Sequence, residues 1–286
     1  PDPQTSYGWH LQGLRALEAQ GVDVMRAPVT VGVMDQSIDD TVPDLAGQVD
    51  HSKSVACNVN GIPNQDPAAW RWDDATHGTH VAGSIAAKHD GVGVDGVNPT
   101  LTIAAINVAS RNGGYFYPEY VVCGFVWAAD HGISVTASNY LVSPWKYWMP
   151  RDPEQAAGLE AASRSIAYAQ GSGLAVIASA GNEGADNDNP TTDSASPTDL
   201  DTPIKDRPVA GSIRVPGQVA GVSQVSALKR VNEETKPEWT TLARADFSNY
   251  GTTIDFAAPG DGIYSTVPTS LYASGYAKAS GTSMAT

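Results

Sequence analysis

The fold is decided by the run Val29-Thr30-Val31-Gly32-Val33-Met34 (VTVGVM), which is rich in β-branched residues and ends directly at a carboxylate, Asp35. Three further segments have the same strand-like character, namely Leu101–Val108, Ile133–Ala137 and Leu174–Ala180 (LAVIASA). Short and largely apolar runs of this kind are typical of strands that are buried on both faces of a sheet. The sequence therefore predicts a buried central sheet.

Helical segments separate the predicted strands. They are Thr79–Ala87, Tyr120–Asp130 and Pro153–Gln170. Strands that alternate with helices predict an α/β fold with a mostly parallel central sheet and helices on both of its faces. Functional groups in such folds gather at the carboxyl ends of the strands. Asp35 and the segment Gly181–Asn182 both lie at such ends.

The composition fits one large α/β domain or two small ones, and the absence of a linker favours one. The chain has 286 residues, of which 41 % are hydrophobic and 17 % are charged, and no linker divides it. Its formal net charge of −14 disfavours a nucleic-acid partner, because an acidic surface repels phosphate. Its apolar runs fall well short of the roughly 20 residues that a membrane helix needs, so we expect no membrane partner. The polar, acidic segment 183–207 is predicted to be a long surface loop within the domain.

Two cysteines, Cys57 and Cys123, leave two interpretations open. They form a disulfide in a secreted protein, or they are two buried thiols. Cys123 lies in an apolar segment that is predicted to be helical, which favours the buried thiols.

Three short motifs carry groups that are suited to acyl transfer. HGTHVAG (His77–Gly83) places an imidazole at the start of a helix, where glycines allow close packing. SAGNEG (Ser179–Gly184) follows a buried strand, so the amide of Asn182 can point into a cleft. SGTSMAT (Ser280–Thr286) surrounds Ser283 with small residues, which lets a substrate approach its hydroxyl group.

Together with Asp35, these motifs supply each role that hydrolysis of a peptide bond through an acyl-enzyme requires. Ser283 is the candidate nucleophile and His77 its general base, while Asp35 orients the imidazole. Asn182 is the candidate hydrogen-bond donor to the oxyanion.

With Asp, His, Asn and Ser in this order and the three motifs intact, the chain resembles the subtilases, a family of serine peptidases. Further matches are Val33-Met34-Asp35, Pro43-Asp44-Leu45, Gly93–Pro99 and Asp246–Gly260, and the segment Gly113–Tyr147 resembles secreted actinobacterial members. The resemblance implies a subtilisin-like fold and a secreted endopeptidase that cleaves polypeptides and needs no cofactor for its chemistry. It also implies an N-terminal propeptide outside this chain, and we expect a monomer.

The resemblance further implies that a substrate strand lies between two edges. One edge is Gly114-Tyr115-Phe116, and the other is Asn139-Tyr140-Leu141, where the family usually has Ser-Leu-Gly. Ser179, Ala180 and Gly181 are expected to line the primary pocket. Glu183 near its rim would favour a basic residue before the cleaved bond. Pro216 would form the far wall of this pocket; its peptide bond is trans by default and cis if the family position holds.

The residues after the candidate triad aspartate depart from the family pattern. Gln36 and Ser37 stand where subtilases usually have Thr or Ser and then Gly. If that glycine position needs an unusual backbone angle, Ser37 would be strained. The alternative to an active enzyme is therefore a catalytically inactive subtilase homologue that acts as a binding or structural domain.

A structural calcium site is also implied by the resemblance, in the loop after the histidine helix. The oxygen donors would be side chains and main-chain carbonyls of Gln4, Asp44, Lys88, Asp90, Val92 and Val94. Hard oxygen ligands on a glycine-containing loop suit Ca²⁺ rather than zinc. The alternative is an exposed turn in which Asp90 is solvated.

The chain stops three residues after Ser283, where subtilases continue into a long buried helix. We therefore expect a peptidase domain over residues 1–286 that is incomplete at its C-terminus, with an exposed apolar groove where that helix would lie. On this expectation the 286-residue chain alone is inactive or poorly folded.

Overall fold

The computed structural model of the chain describes residues 1–22, 29–72, 74–112, 114–234 and 236–286. Within these ranges the strands are β1 (Thr30–Asp35), β2 (Val55–Ala56), β3 (Thr102–Asn107), β4 (Val135–Ser138), β5 (Ala175–Ser179), β6 (Thr192–Asp193), β7 (Arg207–Pro208), β8 (Ser223–Arg230), β9 (Leu242–Arg244), β10 (Phe256–Pro259), β11 (Ile263–Thr266) and β12 (Tyr276–Ala279). The helices are α1 (Trp9–Gly13), α2 (Ala16–Gln20), α3 (Pro67–Trp70), α4 (His77–Ala86), α5 (Pro118–Asp130), α6 (Pro153–Gly171) and α7 (Thr282–Ala285). Each segment predicted as a strand or a helix from the sequence is one.

The central sheet is mostly parallel, as the sequence predicts. Its strand order is β10-β8-β5-β4-β1-β3-β2, and each of these neighbouring pairs is parallel, while β9 adds to β8 in the antiparallel sense. β1 lies between β3 and β4, so its end at Asp35 falls near the middle of the carboxyl edge of the sheet. That edge is where parallel sheets place their functional groups.

Helices cover both faces of the sheet. The side chains of β1 alternate between these two faces, so β1 packs against helices on each. Met34 belongs to a buried cluster with Phe125 of α5 and Ile166 of α6. Val31 and Val33 face the other way and pack in a second buried cluster, in which α4 supplies Val81 and Ala82. Burying apolar surface on both faces stabilises the sheet at about 25 cal/mol for each Å² removed from water.

Local signals set where the helices begin. Pro118 and Pro153 occupy the first positions of α5 and α6, where the missing N–H of proline costs nothing. The Asp152 carboxylate caps α6 by accepting a hydrogen bond from the Glu154 N–H at 3.0 Å. α4 begins at His77, two residues before its predicted start. The sequence did not indicate this first turn, because Gly78 has low helix propensity.

Cys57 and Cys123 form a disulfide, with their Cα atoms 5.8 Å apart. The expectation of two buried thiols is therefore wrong. Cys57 follows β2 and is fully buried, whereas Cys123 lies on a partly exposed side of α5. The apolar composition of α5 does not reveal which of its sides meets the segment after β2, and that side decides the pairing.

The segment 183–207 is mostly exposed and carries a short antiparallel pair, β6 and β7. A buried ion pair anchors it, since Arg207 Nη2 lies 2.9 Å from Asp193 Oδ2. The guanidinium of Arg207 also lies over the ring of Trp145, 4.7 Å from its centroid. Within the described ranges, no helix combines the length and the apolar character that crossing a bilayer requires.

Candidate active site

Asp35 and His77 form a hydrogen-bonded pair at the carboxyl edge of the sheet. His77 Nδ1 lies 2.8 Å from Asp35 Oδ1 and 2.9 Å from Oδ2, and Asp35 is 1 % exposed. Burial opposes protonation of the imidazole, but the charge of Asp35 and its hydrogen bond outweigh burial, so the pKa of His77 is raised. An imidazole whose Nδ1–H is held by a carboxylate presents its Nε2 as a base.

The segment after Asp35 is unstrained. Among the described residues, the non-glycine residues with positive φ are Arg15, Asn60 and Asp206, so the strain expected at Ser37 is absent. The close approach falls on Gly78 instead, where a Cβ atom would stand 2.3 Å from the Ser37 carbonyl oxygen. Glycine at this position lets the start of α4 reach the end of β1, which brings His77 to Asp35.

Ser283 lies in the first turn of α7 and is 6 % exposed. α7 packs against α4, so the helix that carries Ser283 and the helix that begins at His77 share one face of the sheet. The part of the chain that the structure describes contains no hydrogen bond between Ser283 and His77. Such bonds are often long before a substrate binds.

Asn182 is tied to the residue before Ser283. Its Oδ1 accepts hydrogen bonds from the N–H of Thr282 at 2.8 Å and from the Thr282 hydroxyl at 2.9 Å. That hydroxyl accepts in turn from the N–H of Gly181 at 3.2 Å. Among the described hydrogen bonds, Nδ2 of Asn182 donates none, and Asn182 is exposed. The side chain is thus fixed through its oxygen and presents a free N–H group.

The edge Asn139-Tyr140-Leu141 follows β4, beside the end of β5. β4 and β5 pair with Ser138 opposite Ala178, which puts Asn139 level with Ser179. The Asn139 carboxamide is buried, and neither its Oδ1 nor its Nδ2 has a hydrogen-bond partner within the described ranges. Tyr140 is buried too and stacks on Phe116, with ring centroids 4.6 Å apart. The two predicted substrate edges are therefore joined by an aromatic contact.

The opposite edge, Gly114-Tyr115-Phe116, has less free main chain than expected. The Tyr115 N–H donates to the Ser110 hydroxyl at 2.9 Å, and the Phe116 N–H donates to the Ser143 hydroxyl at 3.1 Å. Their carbonyl oxygens are occupied as well, since that of Tyr115 accepts from the Ser110 N–H and that of Phe116 from the Ser143 N–H, both at 2.8 Å.

A cleft of about 550 Å³ opens beside Gly114 of this edge and Gln36, the residue after Asp35. Gly114 and Gln36 line it together with Trp72, and the guanidinium of Arg111 lies 5.2 Å from the Trp72 ring centroid. The same guanidinium pairs with Asp74, with Nη2 and Oδ2 3.1 Å apart. The cleft can hold substrate residues on the His77 side of the scissile bond.

Glu183 belongs to a charged group that sequence reasoning missed, which we term the Glu183 cluster (Lys146, Glu183, Arg214 and Asn249). Glu183 Oε1 pairs with Lys146 Nζ at 2.9 Å, while Oε2 accepts from Arg214 Nη2 and Asn249 Nδ2, both at 2.9 Å. Although burial opposes it, these partners lower the pKa of Glu183. The carboxylate is already neutralised, which removes the reason to expect a basic substrate residue. Arg214 in a buried run was the signal that could have revealed the cluster.

Of the two alternatives for Pro216, the cis one is found, at the Val215–Pro216 peptide bond. An apolar groove of about 350 Å³ runs beside α7, with Val31, Ala137, Ile177 and Met284 in its lining. The groove also receives the buried side chain of His10.

Gln4, Asp44, Lys88 and Val94 of the implied calcium site lie near one another. The Gln4 N–H donates to the Gly93 carbonyl at 2.8 Å, and the Lys88 N–H donates to the Asp44 carbonyl at 3.0 Å. The Asp44 carboxylate accepts from the Val94 N–H at 2.8 Å and from the Tyr276 hydroxyl at 3.1 Å. It is fully buried, and within the described ranges no Lys, Arg or His side chain pairs with it.

The electrostatic environment of the Asp44 carboxylate is one that a bound cation would stabilise. Burial, with help from the negative charges of Asp90 and Asp2, raises the pKa of Asp44 despite its two hydrogen bonds. A nearby divalent cation would offset this cost. A different set of ligand-type side chains also converges here, namely Asp2, His89 and Asp95, in which His89 Nδ1 lies 2.7 Å from Asp95 Oδ1.

Comparison with known proteins places the chain in a family. The model of the subtilase family, Peptidase_S8, matches residues 26–286. The chain is 32 % identical over 281 residues to Subtilisin Savinase of Lederbergia lenta, covering 98 % of this chain and 80 % of that protein. It is also 32 % identical over 281 residues to an alkaline protease of Shouchella clausii, covering 98 % of this chain but 57 % of that protein.

The fold comparison agrees. The nisin leader peptidase NisP of Lactococcus lactis superimposes with a TM-score of 0.71 at 21 % identity, covering 98 % of this chain and 81 % of that one. The chain therefore belongs to the subtilase family of subtilisin-like serine endopeptidases.

Proposed function

We propose that this protein hydrolyses peptide bonds through an acyl-enzyme, with Ser283 as nucleophile, His77 as general base, Asp35 as its partner and Asn182 as oxyanion donor. The observation that carries the proposal is the hydrogen bond between the buried Asp35 carboxylate and the partly exposed His77 imidazole, with Nδ1 and Oδ1 2.8 Å apart. A buried carboxylate that holds an imidazole at a helix start leaves Nε2 free to take a proton.

The steps follow from this geometry. His77 Nε2 accepts the proton of the Ser283 hydroxyl while Oγ attacks the scissile carbonyl carbon. The negative charge that develops on the carbonyl oxygen accepts a hydrogen bond from Asn182 Nδ2, which is held in place through its Oδ1. His77 then protonates the leaving amine, and an ester to Ser283 remains. Water attacks this ester with His77 again as base, which releases the acid product and restores the serine.

The substrate would bind in extended form between the two edges. Asn139 with Tyr140 and Leu141 lies on one side, and the Gly114–Phe116 segment lies on the other. The unpartnered carboxamide of Asn139 supports this placement, because a buried amide without a partner is costly until a substrate supplies one. Ser179, Ala180 and Gly181 would form the floor of the primary pocket.

Bound calcium would serve stability rather than chemistry. Asp44, Asp90 and Gln4 would supply side-chain oxygens, and Lys88, Val92 and Val94 would supply carbonyl oxygens. The buried, uncompensated carboxylate of Asp44 supports this assignment. The triad chemistry itself requires no cofactor.

The disulfide supports a secreted protein, because disulfides persist in oxidising compartments. Polypeptides are the proposed substrates. We also propose a single peptidase domain in which 183–207 is a surface excursion, a monomeric state, and maturation from a propeptide.

Labelling of the full-length protein with a serine-directed fluorophosphonate tests the proposal. We expect one label per molecule, lost in Ser283→Ala together with peptide hydrolysis. Ser280→Ala is the matched control: Ser280 is an exposed neighbour whose hydroxyl is bonded to Asp261 Oδ1 at 2.8 Å, and its loss should leave labelling intact. A full-length protein that binds peptides but is neither labelled nor hydrolytic would be the inactive homologue.

A further inference from the structure

Arg214 is the unusual member of the Glu183 cluster. Its side chain is 1 % exposed, and its guanidinium lies 5.0 Å from the centroid of the Tyr147 ring. Nη2 is bonded to Glu183, but the buried Nε and Nη1 have no hydrogen-bond partner in the described part of the chain. Arginine stays charged in proteins, and buried donors without partners are costly. Two nitrogens of a buried cation, with three N–H groups between them, thus lack an acceptor.

The Glu183 cluster lies directly behind the main chain of the proposed primary pocket. Gly181 has a φ of +109°, and a Cβ atom there would stand 2.6 Å from Arg214 Nη2 and 2.8 Å from Glu183 Oε2. The next residue, Asn182, would bind the carbonyl oxygen of the substrate residue before the cleaved bond. The side chain of that residue therefore enters beside the Glu183 cluster.

The charge of the cluster decides which side chain it accepts. Lys146 and Arg214 are two cations against the one carboxylate of Glu183, which leaves a net charge of +1. A carboxylate on the substrate would bring the cluster to neutrality and accept hydrogen bonds from its donors. A basic side chain would instead raise the net charge to +2 in a partly buried site, which is strongly unfavourable.

We propose, on the basis of the proposed function, that this peptidase cleaves after acidic residues. Arg214 and Lys146 are then the specificity-determining residues that hold the substrate carboxylate. Glu183 orients Lys146 and Arg214 and weakens their electrostatic attraction for the substrate carboxylate.

The test uses the full-length protein and four quenched peptides that differ only in the residue before the cleaved bond, which is Glu, Gln, Leu or Lys. We expect kcat/KM for the Glu peptide to exceed that for its isosteric Gln counterpart by about tenfold, because charge-assisted hydrogen bonds are about twice as strong as neutral ones. The Lys peptide should be the poorest substrate.

Variants at the partly exposed members of the cluster carry the test, because removing Arg214 would disturb the core. Lys146→Met should reduce the Glu-to-Gln ratio several-fold, mainly through KM, whereas Glu183→Gln should increase it. Lys229→Met is the matched control. Lys229 is 30 % exposed and paired with Asp246, Lys146 is 25 % exposed and paired with Glu183, and the control should leave the ratio unchanged.

Labelling of Ser283 separates this proposal from the proposed function. Labelling and hydrolysis without preference for Glu over Gln, or with a preference for Lys, overturn the acidic specificity alone. If Lys146→Met leaves the Glu-to-Gln ratio of kcat/KM unchanged, the Glu183 cluster does not determine the specificity. If the full-length protein is neither labelled nor hydrolytic, the proposed function is overturned, and the acidic specificity with it.

Discussion

At the scale of single residues, Asn182 owes its orientation to Thr282. Both the N–H and the hydroxyl of Thr282 bond to Asn182 Oδ1, so the amide cannot turn its oxygen toward the substrate. We expect Asn182→Ala to lower kcat by about 10²–10³, which is the loss that removal of one oxyanion donor causes in a subtilisin. KM should change little, because the oxyanion exists only after attack. Steady-state kinetics on the full-length protein measures both.

Thr282→Val is the companion variant for Asn182. It removes the hydroxyl bond and keeps the main-chain bond, so kcat should fall by only about tenfold or less. An Asn182→Ala enzyme with raised KM and unchanged kcat would contradict the oxyanion role.

His77 sets the pH dependence of the proposed reaction. The pKa of His77 is raised above its ordinary value of 6.5, because the charge and hydrogen bond of Asp35 outweigh burial. A general base must be neutral, so kcat/KM should rise with pH through an inflection above 6.5. In Asp35→Asn the inflection should move to lower pH, and kcat should fall by about 10⁴ as the imidazole loses its orientation. An inflection that stays in place would argue against the pair, and the pH profile should be measured with a substrate that does not titrate.

At the scale of elements, local patterns predicted the strands and their ends. β1 is apolar up to Asp35, and a run of this kind needs no distant partner to be read as a buried strand. The motifs after β5 and at the start of α4 followed in the same way. Because parallel strands end at one edge of the sheet, predicting these elements was enough to predict that Asp35 and Asn182 lie at that edge.

The Glu183 cluster and the disulfide could not be predicted in this way. Lys146, Glu183 and Arg214 come from three loops, and no local pattern says which loops meet. The disulfide depends on which side of α5 faces the segment after β2. Both features arise from the relative placement of elements, and a helical or strand periodicity carries no information about that placement.

At the scale of the whole molecule, two buried histidines connect distant parts of the chain. His10 of α1 lies beside His80 of α4, and both are almost fully buried. His80 Nε2 donates to the carbonyls of Ile263 at 3.0 Å and Ala277 at 3.2 Å, in the β11–β12 hairpin. Neither nitrogen of His10 has a hydrogen-bond partner within the described ranges. The packing of α1, α4 and this hairpin therefore requires both rings to be neutral.

This requirement has a defined pH window. Burial, and then the neighbouring His80, lower the pKa of His10 to about 4, and burial lowers that of His80 to about 4 despite its hydrogen bonds. Unfolded chains bind these protons near pH 6.5, so the stabilisation is complete above 6.5 and is lost as the pH falls toward 4. His77 has the opposite sign, because its raised pKa contributes stability that is lost above 6.5. Paired carboxylates such as Glu183 act below about 4.5, and the raised pKa of Asp44 acts in the opposite sense, so a loss of stability in the interval between comes from His10 and His80.

Urea unfolding of the full-length protein at pH 7.0, 5.5 and 4.5 measures this dependence. We expect the free energy of unfolding to fall by on the order of 3 kcal/mol across the interval, which is what a shift of this size in one histidine gives, with a further loss from the second. His10→Phe should reduce the loss, because a ring that cannot be protonated leaves only His80 to titrate. His51→Gln, at a half-exposed histidine that pairs with Asp40, should retain the loss seen in the unmodified chain. Equal stability at pH 7.0 and 4.5 would mean that His10 and His80 take up no protons on unfolding. The two rings would then already be protonated in the folded protein at pH 4.5, and a neutral pair would not be needed to hold α1 to the body of the protein.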